Sequence, residues 1–441
     1  MIRIGEGAGY SGARLWPALD LARRGGLDYL LLECLAERTI ALAQLARLGD
    51  PSGGYDPHLV QRMEVLLVPC RERGTRVLTN AGAANPAAAG AAVVAVARRL
   101  GLDGLRVGVV AGDDVLSQLD PGLALAETGR TLAELGDRVV SANAYLGAEP
   151  LVEALARDAA VVVTGRVADP SLALAALRHA FGWAGDAWPL LGAGTAVGHL
   201  TECGPQVTGG YFADPGRLDV PELAAVGGPI AECGPDGDAV LTKLPGSGGA
   251  VTVATCVEQL LYEIGDPAAY LTPDVTADFS RVELDQVGPD RVRVRGASGR
   301  PAPTALKVSV GYRDGFVGEG QISYGGAGCV GRARLAAEAV LGRLAAAGFD
   351  RRGVRVDLIG YDALFGRPLD AAEPTEVRLR VAARAEGREE AEAVGREVEA
   401  LWIGGPYGGG GATRAVREVI AVGSVLVGRE RVVPRVTVLE A

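Results

Sequence analysis

Arg3-Ile4-Gly5-Glu6-Gly7-Ala8-Gly9-Tyr10-Ser11-Gly12 runs from a short apolar strand into a glycine turn. An amphipathic helix pattern over Leu15–Arg24 and the wholly apolar run Tyr29-Leu30-Leu31-Leu32 come next. A strand without polar alternation is buried on both faces, and a helix between two such strands is the crossover that parallel pairing requires. The pattern repeats. Strand signals at Arg76-Val77-Leu78, Arg106–Val110, Val139–Ala144 and Ala160–Val163 alternate with helical periods over 36–48, 57–73 and 86–100. This alternation predicts an α/β fold with a parallel sheet covered on both faces.

From about Gly198 the texture changes. Turns become denser, and strands at 240–243, 291–294, 306–312 and 318–324 read as antiparallel, with helical patterns at 253–264, 332–347 and 388–401. The expected organisation is a parallel α/β lobe over 1–204 and a mixed α+β lobe over 205–441.

Composition narrows the function classes. The chain has 441 residues, 48% of them hydrophobic, and a net charge of −10. Such a chain can bury a large core, and its acidity argues against nucleic acid as a partner, which would want a basic face. It leaves room for a small anionic substrate held by a few local cations. No apolar run has the length of a membrane span, and nothing at the N-terminus resembles a secretory signal. The six cysteines are dispersed with no CxxC pair, which suits reduced thiols and a cytoplasmic setting. The high apolar content suggests a homo-oligomer. Of 44 basic residues only Lys243 and Lys307 are lysines; a lysine kept in so arginine-rich a chain marks places where a compact ammonium matters.

In parallel sheets ligands sit at the carboxyl ends of strands, and the unusual residues collect there. Gly7, Gly9 and Gly12 have the GxGxxG spacing, with Ser11 among them, and suit a phosphate or carboxylate. The alternative is a tight turn without a ligand. Asn80 and Asn85 follow the third strand signal, Asp113 the fourth, and Arg166 and Asp169 the last. Further on, His199, Glu202 and Cys203 stand at i, i+3 and i+4, on one face of a helix. With only three histidines in the chain and no partner cluster for zinc, no metal site is expected, and His199 or Glu202 is the candidate acid or base; a turn segment without chemistry is the bland alternative. Cys203 is a weak nucleophile candidate. Lys243 precedes another glycine turn, Pro245–Gly249, in the layout of an anion site.

The last motif is Gly404-Gly405-Pro406-Tyr407-Gly408-Gly409-Gly410-Gly411-Ala412-Thr413-Arg414. Gly411-Ala412 stands where a phosphate-binding P-loop carries Lys-Ser/Thr, so ATP hydrolysis is unsupported. A helical pattern over 415–420 follows, with Thr413 as N-cap and Gly409, Gly410 and Arg414 placed to hold a phosphate or carboxylate. The likeness to the turns at 5–12 and 245–249 suggests one wall of a shared cleft.

Taken together, the turn at 4–12, Leu35-Ala36-Glu37, Asn80-Ala81-Gly82, Gly112-Asp113-Asp114, Gly165-Arg166-Val167-Ala168-Asp169, Thr201-Glu202-Cys203-Gly204, Tyr270-Leu271-Thr272-Pro273-Asp274 and the loop at 404–414 resemble the acyclic terpene utilisation protein A family. The resemblance covers nearly the whole chain, without the further C-terminal ferredoxin-like domain of longer members. It implies chemistry on CoA thioesters of branched acyclic terpenoids, with coenzyme A entering only as part of the substrate. Acidic and amide groups at the strand ends, anion-suited glycine turns and no redox or Walker signature point to acid–base chemistry of lyase or hydratase type. The resemblance supplies no catalytic residues. On that expectation Glu202 or Asp113 moves a proton, Asn80 or Asn85 holds an enolate oxygen, and Arg166, Lys243 and Arg414 hold anionic groups. A non-catalytic subunit of an acyl-CoA-processing complex is the competing expectation.

Overall fold

The computed structural model describes residues 1–368 and 372–441. Two compact units emerge, one of residues 1–311 with 422–441 and one of residues 312–421. The boundary expected at 204/205 falls inside the larger unit.

The larger unit is built on a ten-stranded sheet. Its centre is β1 (Ile2–Glu6), β2 (Tyr29–Leu32), β3 (Arg76–Thr79), β6 (Val161–Thr164) and β4 (Arg106–Ala111), in that order. These five strands are all parallel, as the apolar runs predict. Antiparallel strands extend both sides. β7 (Pro229–Cys233), β8 (Ala239–Lys243) and the hairpin of 291–295 and 283–288 continue from β1, and the C-terminal strand Arg435–Glu440 pairs with β4. β5 (Val139–Ala144) is outside this sheet and pairs instead with the long strand Ala305–Gly325.

Leu30, Leu32, Val77, Val161 and Val163 point to one face, where they pack with α1 (Leu15–Arg24), α3 (Leu59–Arg73) and α4 (Pro86–Arg99) in one continuous core. The alternate residues Leu31, Leu78 and Val162, equally buried, point the other way. Helices α6 (Glu149–Ala156), α7 (Ser171–Phe181) and α8 (Trp188–Thr201) pack against one another, and α6 and α7 also meet sheet strands. Each fully buried leucine of this kind contributes about 2 kcal/mol of transfer free energy. The remaining helices of the unit are α2 (Glu37–Gly49), the single turn α5 (Leu132–Leu135) and α9 (Val253–Leu261). Register places Glu6 opposite Leu31, Leu32 opposite Thr79, Thr79 opposite Val163, and Val110 opposite Thr164. The carboxyl ends of the five parallel strands therefore finish level, on one edge of the sheet.

The smaller unit follows the order strand, helix Cys329–Ala346, strand Val354–Ile359, strand Glu376–Ala385, helix Arg388–Glu399, strand. Its sheet runs 354–359, 376–385, then the parts of strands 305–325 and 409–428 that lie within 312–421, the split β-α-β arrangement of ferredoxin-like units. Here one expectation is corrected. Residues 415–420 are not a helix but part of the strand Gly409–Gly428. Val416, Val419 and Ile420 are β-branched, and the open sheet edge beside 305–325 supplies a pairing partner that a helical period in six residues could not outweigh. Thr413 accordingly caps no helix.

Candidate active site

At the level edge of the parallel sheet, each strand delivers one polar side chain into the interior. Glu6 ends β1 and is 1% exposed. Its Oε1 accepts the backbone N–H groups of Ala8 and Glu33, both at 3.1 Å. Burial pushes its carboxyl up to about 8 despite those two donors. After β2, Glu33 accepts from Leu35 N–H and from Asn80 Nδ2, both at 2.8 Å, and burial, with Asp169 nearby, raises it well above the carboxylate range. Asn80, beyond β3, is fully enclosed: its Oδ1 takes the Cys34 N–H at 2.7 Å. Asn80 is thus committed to fastening the β2 and β3 ends, and both polar ends of its amide have protein partners.

Asp113, beyond β4, accepts from Arg166 N–H at 3.0 Å and Asn143 Nδ2 at 2.8 Å, and burial raises it to about 6. Arg166, beyond β6, is fully buried. Its guanidinium donates to the carbonyls of Val167 (2.8 Å) and Leu35 (2.6 Å), pairs with Asp169, and lies 4.6 Å from the Tyr145 ring centre. With every nitrogen engaged, Arg166 is an electrostatic anchor for the loop ends. Tyr145 donates to Glu37 Oε1 at 2.6 Å, where Lys307 Nζ also arrives at 3.1 Å. Burial opposes ionisation of Glu37, but these donors outweigh it and hold its carboxyl at about 2.

The N-terminal glycine turn packs against the segment that follows α8. Gly9 lies so close to Cys203 that a Cβ there would sit 2.6 Å from the Cys203 carbonyl carbon. Gly204, at φ +56°, would put a Cβ 1.8 Å from the Ala8 carbonyl oxygen. Only glycine permits this approach. The N–H groups of Gly7, Ala8 and Gly9 are already taken by Leu31 O, Glu6 Oε1 and Glu33 O. Ser11 gives its carbonyl to buried Arg62, and Gly12 lies beneath the Tyr10 ring. The turn is a packing device first, and three of its donors are spent within the chain.

Around this junction lies a cavity of about 380 Å³, walled by Gly7–Tyr10, Pro17, Cys203, Gln206, Tyr211 and Tyr262. A second hollow of about 170 Å³ shares Arg14, Pro17 and Val226 with it and reaches Gly246 and Ser247. So the turns at 5–12 and 245–249 border adjoining spaces. The Cys203 thiol is pushed up to about 12 by burial and by Glu202, which keeps it protonated at neutral pH.

His199 and Glu202, placed at i and i+3 where α8 ends, do meet: Nδ1 is 3.1 Å from Glu202 Oε1. The ring is 1% exposed, and its Nε2 is 3.2 Å from the Leu260 carbonyl oxygen. Burial lowers the imidazole, while burial together with Asp169 and Glu263 raises the Glu202 carboxyl well above its usual range. Glu202 Oε2 is buried without a hydrogen-bond partner among the described residues, as is Gln206 Nε2.

Several expected site residues lie elsewhere. Asn85 is the N-cap of α4: its Oδ1 takes the Ala88 N–H at 3.3 Å, and its Nδ2 donates to the carbonyls of Pro51 and Gly53. Lys243 donates to Ser247 O at 2.7 Å and pairs with Asp290 at 3.3 Å, bracing the 245–249 turn from beneath. Gly409, Gly410, Thr413 and Arg414 belong to the smaller unit. There Thr413 Oγ1 accepts from Arg378, and Arg414 stands 3.4 Å from Glu399.

Sequence reasoning passed over Tyr145, Gln259, Tyr262 and Tyr270. Tyr145, Gln259 and Tyr262 lie in connections or on a helix face with no motif spacing, and only Tyr270, in the short strand Tyr270–Leu271, falls in a segment carrying the family resemblance. Among the described residues, no group of three or more His, Cys, Asp or Glu side chains is arranged to hold a metal ion, and no helix is long and apolar enough to cross a membrane.

No similar protein of curated function and no similar solved structure is found. A family model does match, and it spans residues 2–438, the strand-end acids, the 199–204 segment and the glycine loop included. The chain therefore belongs to the family described as acyclic terpene utilisation family protein AtuA.

Proposed function

We propose that this protein is a cytoplasmic enzyme that moves a proton at the carbon next to the carbonyl of an acyl-CoA or related small carboxylic acid, as a lyase or hydratase does. Membership of an acyclic terpene utilisation family sets the context. The observation that carries the reading is the pairing of space with chemistry. The cavity of about 380 Å³ is walled largely by tyrosine, proline and glycine, and Cys203 in its wall adjoins Glu202. Burial pushes the Glu6 carboxyl up to about 8 and raises that of Glu202 well above the usual carboxylate range, which suits both to proton transfer near neutral pH. A branched apolar chain suits the cavity walls, and its size is within the range of small-molecule sites. Arg14, on the wall shared by the two hollows, is the nearest candidate to meet an anionic group.

The test is thermal stability with a panel of acyclic terpenoid CoA thioesters and their free acids, followed by turnover of any binder. A ligand at one hundred times its Kd stabilises by about 2.7 kcal/mol, a readily measured shift. Glu202→Gln should keep the shift and lose turnover by about 100-fold or more. No shift with any member of the panel removes the reading.

A second reading, a non-catalytic subunit or scaffold of an acyl-CoA-processing complex, has its own support. Ile403 and Trp402, just before the glycine loop, and Tyr407 within it are exposed by 99%, 56% and 88%. Alanine at Glu202, Asp113 and Lys243 with intact fold and unchanged pathway flux favours that reading.

A further inference from the structure

We infer that His199 and Glu202 form a neutral, proton-sharing pair in which Glu202 Oε2 takes the substrate proton while Oε1 passes its own to His199 Nδ1. This rests on the proposed proton transfer and assigns its second half, the place where the proton goes.

The geometry fixes one hydrogen, and neutrality of the pair fixes the other. A carbonyl oxygen can only accept, so the 3.2 Å contact with Leu260 O requires hydrogen on Nε2. A neutral imidazole with hydrogen on Nε2 has a bare Nδ1, an acceptor. The atom 3.1 Å away is Glu202 Oε1, which must then supply the hydrogen. The other oxygen, Oε2, is left with free lone pairs, buried and without a partner among the described residues. The side chain of Glu202 is 10% exposed and that of His199 1%, so water does not substitute for these contacts.

The surroundings favour the neutral pair over the ion pair. Tyr270 and Phe279 face the ring with centroids 5.5 and 5.8 Å away. Gln259 Nε2 donates to the His199 carbonyl at 2.9 Å, holding the end of α8 against α9. The charged groups acting on the pair are Glu263 beyond α9 and Asp169 and Arg166 beyond β6, with Glu6 nearby at the end of β1. Glu263 and Asp169 oppose a negative charge on Glu202 and favour a proton on His199, but burial outweighs them at the ring and lowers the imidazole.

In the step, the C–H bond next to the carbonyl breaks and its electron pair remains on the substrate as an enolate. The proton bonds to Oε2, the Oε1–H bond breaks, and that proton bonds to Nδ1. Glu202 ends as it began, a neutral acid, with its hydrogen moved from one oxygen to the other. His199 ends as an imidazolium still donating to Leu260 O. The reverse sequence returns the proton to the substrate or product.

Nitrogen-15 NMR of histidine-labelled protein tests the pair without any substrate. Three histidines give three ring spectra, and His199→Asn assigns the one in question. At pH 7 the native ring should read as neutral with hydrogen on Nε2. Glu202→Gln should leave that tautomer unchanged, because the glutamine amide also donates to Nδ1. An imidazolium in the native protein that turns neutral in Glu202→Gln overturns the inference, since that is the signature of an ion pair. With an active thioester in hand, His199→Asn can still accept from Glu202 through Oδ1 but cannot take up a proton. Its kcat should fall by about 100-fold or more at unchanged KM; unchanged kcat overturns the relay. A native protein that turns over nothing sinks the enzyme reading, while the tautomer measurement still decides the pair.

Discussion

Replacing Glu6 by glutamine separates a buried carboxyl from an isosteric neutral amide at the one place where the sheet end, the glycine turn and the β2 end join. Glutamine Oε1 can accept the same two N–H groups, at 3.1 Å each, that Glu6 accepts. The carboxyl rises from 4.5 to about 8 on folding because the charged form loses its water. A carboxyl raised in the folded state contributes stability that is fully present below the unfolded value and is lost as pH climbs through the folded one. The window therefore runs from pH 4.5 to about 8. At about 1.4 kcal/mol per unit, the native protein loses on the order of 5 kcal/mol across it through this group alone. Glu6→Gln has no proton to lose there, while every other titrating group stays common to both proteins. Urea denaturation of the two proteins side by side from pH 5 to pH 9 is the assay. The variant should gain on the native protein by about 1.4 kcal/mol per pH unit up to about pH 8 and by nothing further above it. Parallel curves, or a native protein that gains on the variant as pH rises, would refute the claim that this carboxyl is buried neutral.

Gly204→Ala should be severely destabilising, by several kcal/mol or outright misfolding, because a Cβ there meets the Ala8 carbonyl at 1.8 Å on a φ of +56°; circular dichroism melting of the purified variant checks it. Asn85→Ala should cost about 1–2 kcal/mol through loss of the α4 cap, with catalysis spared, and chemical denaturation reads the difference. Cys203 should resist iodoacetamide at pH 7.5 in the folded protein, with its thiol held near 12, and react only after denaturation; mass spectrometry locates the label, and rapid labelling of the native state would contradict the site described above.

Most of the frame could be read from local pattern. Tyr29-Leu30-Leu31-Leu32 and the apolar run ending at Val163 announce strands buried on both faces, and their alternation with helices names a parallel sheet. The positions of Asn80, Asp113 and Arg166 just past strand ends were legible for the same reason. Their jobs were not. Nothing in the neighbourhood of Asn80 says that its amide will be consumed by Cys34 and Glu33, 46 and 47 residues away. The helix anticipated over 415–420 failed because a six-residue period carries little free energy against a free sheet edge, whose presence depends on residues 305–325 a hundred positions earlier.

Local pattern alone establishes that this is an α/β protein, that polar residues gather at its strand ends, and that His199 and Glu202 share a helix face. These follow from period, composition and i, i+3 spacing, all local properties. What each polar group does was set by packing across the chain. Burial by distant segments raises the Glu6 and Glu202 carboxyls above their ordinary range. Arg166, Asn80, Asn85 and Lys243 are drawn into fastening the chain because their partners arrive from elsewhere in the fold. The N-terminal glycines prove to be contact points with Cys203 and Gly204, nearly two hundred residues on. The physical reason is common to all of them: protonation and hydrogen-bond satisfaction depend on desolvation and on neighbours, and both are set by packing across the chain, which no local pattern encodes.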